Sequence, residues 1–134
     1  MKVIAEMNFR LIQDEGSSNP MTVAQLKQRA LDWLRSGWNF DLLCTGEKII
    51  GYALYQIRPH PYHNNQMEAY IRQYFIDSNE RQKGYGREGI HLLKEKRFKE
   101  MSAIVIDVLE TNPQGRRFWE SVGFKPYYTN MRME

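Results

Sequence analysis

A single cysteine, Cys44, rules out any internal disulfide. The sequence has no C-x-x-C, no His-x-x-x-His and no carboxylate cluster, so no metal centre is expected. No apolar run approaches the roughly 18 residues of a membrane helix. The opening Met1-Lys2-Val3-Ile4-Ala5-Glu6 is too short and too soon charged for a signal peptide. These absences point to a cytoplasmic protein without a membrane partner. There is no internal repeat, low-complexity run or linker. Excess positive charge is small, +3 at neutral pH. It is spread over 81–87, 94–99 and 116–117 rather than gathered in the dense stripe of a nucleic-acid binder, so no nucleic-acid partner is expected.

What is present suits one globular domain over residues 1–134, with 42% hydrophobic and 26% charged residues. Lys2–Met7 reads as a short strand. After a loop at Gly16–Pro20, Thr22 and Gln25 form a capping box, with Met21 and Leu26 as a hydrophobic staple. Val23, Leu26, Ala30 and Trp33 then share one helical face, and Ser36-Gly37 ends it. Phe40–Thr45 and Ile49–Ile57 read as a hairpin around Gly46-Glu47-Lys48, with Cys44 as a small core residue in a buried strand. A polar loop, Arg58–Gln66, carries His60, Tyr62 and His63. Met67–Ile76 is a strand, Gly84–Met101 a helix, and Ala103–Leu109 a central apolar strand. Asn112-Pro113 opens another helix, which ends near Gly123, and Phe124–Met133 closes the chain as one or two strands. The expected fold class is α/β, with a mixed sheet.

Residues 81–87, Arg-Gln-Lys-Gly-Tyr-Gly-Arg, lie between a predicted strand and a predicted helix. A basic, glycine-containing turn at a helix start offers free backbone N–H groups and the positive end of the helix dipole, suited to a phosphate or pyrophosphate. Gly84–Gly89 matches G-x-G-x-x-G, and Asp107 stands about where a ribose ligand would follow. The context excludes a dinucleotide fold. Asp77–Lys83 separate the glycines from the strand, Asp107 falls inside an apolar strand, and too little chain follows for a second half.

Arg81-Gln82-Lys83-Gly84-Tyr85-Gly86 instead resembles the R/Q-x-x-G-x-G/A turn of the GNAT superfamily of N-acetyltransferases. Downstream, Asn112 to Phe124 is similar to that family's N-x-x-A-x-x-F-Y-x-x-x-G-F, and Gly51 stands where such chains often carry glycine. The resemblance covers about residues 3–130. It implies a single-domain, mostly antiparallel mixed sheet, with splayed middle strands flanked by helices. It also implies acetyl-coenzyme A as co-substrate and an amine acceptor. The N–H groups of Gln82, Lys83, Gly84, Tyr85, Gly86 and Arg87 would cradle the pyrophosphate, with charge from Arg81, Lys83 and Arg87. Tyr74, Phe75 and Ile76 would hydrogen-bond the pantetheine arm, which Asn112 would approach. Trp119 takes the place of a tyrosine that in relatives serves the departing thiolate, and indole cannot supply a proton. Tyr127, Tyr128 or a water could replace it, and a thiolate, whose thiol has pKa about 8.5, leaves readily enough that the loss need not abolish turnover. Dimers are common in the family, and Phe124–Met133 is a candidate contact for a homodimer.

An ammonium must lose its proton before attacking a thioester. For a lysine-like amine this costs about 4.6 kcal/mol at pH 7, for an α-amine only about 1–1.4 kcal/mol. Relatives that use a base often place a carboxylate at the position held here by Tyr70. Glu68 lies on the same strand face and would act through a water; His60 and His63 are further candidates. The segments 8–38 and 58–66 should form the acceptor site. Glu68 and Tyr70 are thus the catalytic candidates. Tyr70 and Trp119, both departures from the family pattern, also admit a non-catalytic acyl-coenzyme A-binding module.

Overall fold

A computed structural model describes all residues, 1–134. The chain orders as α1 (Lys2–Asp14), α2 (Val23–Arg35), β1 (Asn39–Thr45), β2 (Lys48–Pro59), β3 (Met67–Ile76), α3 (Tyr85–Lys96), β4 (Ala103–Ile106) and α4 (Pro113–Ser121). The sheet order is β1-β2-β3-β4. β1, β2 and β3 run antiparallel, and β3 and β4 are parallel. No helix is long and apolar enough to cross a membrane.

Two cores sandwich the sheet. On one face, Ile4, Met7 and Leu11 of α1 and Ala30 of α2 meet Tyr52, Leu54 and Phe75. On the other, Ile90 and Leu93 of α3 meet Ala53, Tyr55, Ala69 and Ile71, with Phe118 and Trp119 of α4 packed alongside. Each fully buried aliphatic or aromatic side chain stabilises the fold by about 1.5–3 kcal/mol. The capping box forms: the Gln25 amide N–H donates to Thr22 Oγ1, and the Thr22 amide N–H donates to Gln25 Oε1. Met21 packs beside Leu26 as the staple requires.

The first segment differs from its sequence expectation. Lys2–Met7 is not a strand but the first half of α1. The buried residues of α1, Ile4, Ala5, Met7, Asn8, Leu11 and Ile12, recur at helical spacing, a period that six residues are too few to display. Cys44 is exposed, because β1 is the sheet's edge and its register shifts between Leu43 and Cys44. Residues 124–134 form no strand. Pro126 removes a ladder donor, and Tyr127, Tyr128 and Met131 stay exposed, so this end offers no sheet to a second copy. β4 stops at Ile106, which leaves Asp107 just outside it rather than within it.

Ala103–Ile106, expected as part of a central strand, is instead the sheet's other edge, and the sheet parts between it and β3. β4 pairs only with Glu68–Ile71, whereas β3 continues along β2 to Ile76. Arg72–Ile76 therefore have no strand partner on the β4 side. At the same end of the sheet β3 leads into α3 and β4 into α4, so two helix N-termini flank the opening. β3 also carries a bulge. Leu54 opposes Gln73 and Tyr55 opposes Ile71, so Arg72 is the extra residue.

Candidate active site

The turn after β3 is shaped by two left-handed residues, Gln82 at φ 63° and Gly84 at φ 82°. Gly84 is the N-cap of α3 and has no atom within 4 Å of where a side chain would start, so its glycine serves the backbone conformation alone. From Gln82 through Arg87, no backbone N–H finds an acceptor in the chain; the Glu88 N–H, bonded to the Gly84 carbonyl, is the first that does. Consecutive amides in such a turn form an anion-binding concavity at a helix N-terminus.

The basic side chains of this turn are occupied. Arg81 donates through Nε to the Ile76 carbonyl (2.8 Å) and pairs with Asp14. Lys83 donates to Glu80 (3.1 Å), which also pairs with Lys48. These two lysine hydrogen bonds hold the Glu80 carboxyl below its usual range. Arg87 donates to the Ser121 carbonyl, tying α3 to the end of α4. Gly86 has a different reason from Gly84: a Cβ there would stand 3.0 Å from the Phe118 ring. Tyr74 reaches under the turn and donates to the Gly86 carbonyl at 2.7 Å, and Gly89 lacks the Cβ that would strike its hydroxyl.

On the α1/α2 face of the opening lies a cleft of about 350 Å³, within the range of small-molecule sites. Tyr70 and Asp107 meet there, the Tyr70 hydroxyl donating to Asp107 Oδ2 at 2.5 Å. Burial, and then this hydrogen bond, push the Tyr70 hydroxyl up to about 12, against the charges of Arg72 and Arg58. Tyr70 is therefore a neutral donor at neutral pH. Glu15, at the end of α1, lines the same cleft without an ion-pair partner, and burial raises its carboxyl. Arg29 and Arg72 line it too. The Arg29 guanidinium carbon sits 4.5 Å from the Trp33 ring centre and that of Arg72 5.1 Å.

The remaining sequence candidates are placed as follows. Glu68 is buried and accepts from Arg58 Nε at 3.0 Å, and Arg58 stacks on the Tyr70 ring at 4.6 Å. Glu68 does not line the cleft, so it bears on Tyr70 only through Arg58. His60 Nδ1 accepts the backbone N–H groups of Tyr62 (3.3 Å) and His63 (3.2 Å). Asn112 accepts from the Gly115 amide as an N-cap. Phe75 is a core residue on the α1/α2 face, and Ile76 ends β3 under Arg81. Tyr85 begins α3. Trp119 packs among Tyr74, Phe118 and Phe124 in tilted and edge-on ring contacts. Tyr127 reaches the Tyr62 hydroxyl at 3.1 Å and is 84% exposed, and Tyr128 is likewise exposed. Sequence reasoning missed Glu15, Arg29, Arg72 and, in this role, Asp107. None belongs to a motif; helix α1, the bulge and the early end of β4 bring them together.

The family model described as "Acetyltransferase (GNAT) family" matches residues 8–124. No curated protein matches the sequence. Among solved structures, the chain is similar to a possible acetyltransferase from Clostridium difficile 630. That match has TM-score 0.80 and 15% identity, over 98% of this chain and 88% of that one. It is also similar to a ribosomal-protein-alanine N-acetyltransferase from Brucella melitensis biovar Abortus 2308, with TM-score 0.74 and 14% identity, over 98% and 90%. An aminoglycoside acetyltransferase from an uncultured soil metagenomic sample, in complex with sisomicin, matches with TM-score 0.69 and 13% identity, over 94% and 83%. At these identities the structures share a fold with this chain.

Proposed function

We propose, from the premise that this chain belongs to the GNAT acetyltransferase family, that it moves the acetyl group of acetyl-coenzyme A to a primary amine within one domain spanning 1–134. Family membership makes it an acyltransferase. The donor, the acceptor and the residue roles are the proposal.

The observation that carries it is the unbroken run of free N–H groups from Gln82 to Arg87. That run fits a pyrophosphate, and the open side of Gly84 leaves room for one. The basic side chains around it, being engaged elsewhere, act as scaffold and background charge. The unpaired edge of Tyr74, Phe75 and Ile76 is available to an extended amide-bearing arm. When bound, acetyl-coenzyme A supplies an activated thioester carbonyl.

Tyr70 and Asp107 are the residues we assign to the proton. Tyr70, held protonated, fixes the Asp107 carboxylate, and Asp107 receives the proton that the acceptor ammonium gives up. A carboxylate is a weak base, which favours an acceptor whose deprotonation costs about 1–1.4 kcal/mol over one costing about 4.6 kcal/mol. Arg58, held by Glu68, steadies the Tyr70 ring. Trp119 contributes packing, and the thiolate leaves unassisted, as a thiol of pKa about 8.5 permits. The two amine acetyltransferases of the same fold carry names that refer to acceptors of very different size. The acceptor is therefore set by cleft residues rather than by the fold.

Thermal unfolding with acetyl-coenzyme A tests the donor site. A ligand at about 100 times its Kd stabilises by about 2.7 kcal/mol, a shift of several degrees. The shift should appear in the wild type and vanish in Gly84→Asp. Thiol release with an amine panel then tests transfer. A wild type that shows no shift overturns the proposal.

A further inference from the structure

We propose that the acceptor carries a carboxylate beside its amine, as a free α-amino acid does, and that Arg29 and Arg72 bind that carboxylate. This deepens the acetyl-transfer reading and rests on it.

Both guanidiniums crowd the Trp33 indole, and Arg72 also lies 5.9 Å from the Trp38 ring centre. Neither forms an ion pair, whereas Arg10, Arg58 and Arg81 each have a carboxylate within reach; Arg132, the third cation lining the cleft, is exposed to solvent. The Arg29 Nε is buried and makes no hydrogen bond. An unmet buried donor normally costs free energy, and so do two like charges held near one ring. Burial, then the Arg72 charge, lower the Arg29 guanidinium from its usual value, the signature of a cation short of an anion. A planar carboxylate is the natural partner of such forks, since it accepts two N–H groups at once.

The rest of the cleft supplies the other half of the acceptor. Glu15 and Asp107 line the same cleft as the two arginines, and Glu15 has no cationic partner in the chain. An ammonium group fits beside these carboxylates and a carboxylate beside the arginines, so a zwitterion complements the cleft as a whole. A doubly charged phosphate would share the cleft with the Glu15 and Asp107 carboxylates and suits it less. There is also a chemical consequence. A neighbouring carboxylate makes an amine hold its proton more tightly. Guanidiniums placed on that carboxylate offset the effect and ease the deprotonation that acetyl transfer needs.

The test compares each proteinogenic amino acid with its α-carboxamide, by thiol release from acetyl-coenzyme A. The amide keeps the amine and side chain, loses the negative charge and has the less basic amine, so intrinsic reactivity favours it. A preference for the acid of about ten- to a hundredfold in kcat/KM is expected, as charge-assisted hydrogen bonds supply. In Arg72→Met and in Arg29→Met that preference should collapse toward one, chiefly through KM, and Arg72→Lys should restore part of it. Equal use of acid and amide by the wild type, or a preference that survives both substitutions, overturns this inference and leaves acetyl transfer standing. If no acceptor releases thiol although acetyl-coenzyme A raises Tm, the transfer reading fails instead. The anion site is then judged by N-acetylphenylalanine against its amide. A Tm rise with the acid alone, lost in Arg72→Met, supports the site, and no such difference removes it.

Discussion

The turn at 82–87 and the cleft beside β3 are opposites in where their unmet hydrogen bonds lie. In the turn the side chains of Arg81, Lys83 and Arg87 are bonded and the backbone is free. In the cleft it is side chains that are free: those of Arg29, Arg72 and Glu15 lack ion-pair partners. A free backbone recognises what every substrate of a family shares, because any residue provides an amide. Free side chains recognise what differs, because a substitution changes them. The donor site is therefore written in conformation and the acceptor site in chemistry.

That contrast can be broken most severely at the backbone. Gly84→Val should cost about 1–2 kcal/mol of stability, since a branched residue is strained at φ 82°. It should also abolish acetyl-coenzyme A binding in calorimetry; retained binding would mean that the amides are not the anion site. Next in size, Asp107→Asn should lower kcat by about 10²–10⁴, with Tyr70→Phe milder because the carboxylate survives. Full activity in Asp107→Asn would remove the base from the mechanism.

A sharper comparison lies within the turn. Gly86→Ala should destabilise by about 1 kcal/mol through the Phe118 ring, and Phe118→Leu should relieve it, with Kd for acetyl-coenzyme A nearly unchanged. A loss of affinity without loss of stability would give Gly86 to the ligand instead. The smallest effect is expected at Glu80. Its carboxyl is held low by Lys48 and Lys83, so this contribution to stability is complete above about pH 4.5 and falls away as pH drops through the lowered value. Glu80→Gln should flatten the acid limb of Tm against pH, and an unchanged limb would assign it to other groups.

Much of this was legible in residues alone. The capping box at Thr22 and Gln25, the hairpin at Gly46, the Asn112-Pro113 helix start and the glycine turn each depend on near neighbours in the chain, and each formed. The failures were of two kinds. Lys2–Met7 spans too few residues to separate a period of two from one of 3.6, so the segment by itself does not show α1. Cys44 and Phe124–Met133 have strand-like composition, but burial and pairing depend on which strands lie beside them.

The sequence by itself determined the family, the α/β class and the turn, because glycines, caps and short motifs act over a few bonds. Only the tertiary structure decided the cleft. Asp107 meets Tyr70 across 37 residues of chain, and Arg72 of β3 reaches the Trp33 ring that Arg29 covers from one turn away on α2. A bulge at one residue of β3 and the early end of β4 aim these groups. Such encounters are fixed by strand register and helix packing, long-range choices that no local pattern encodes.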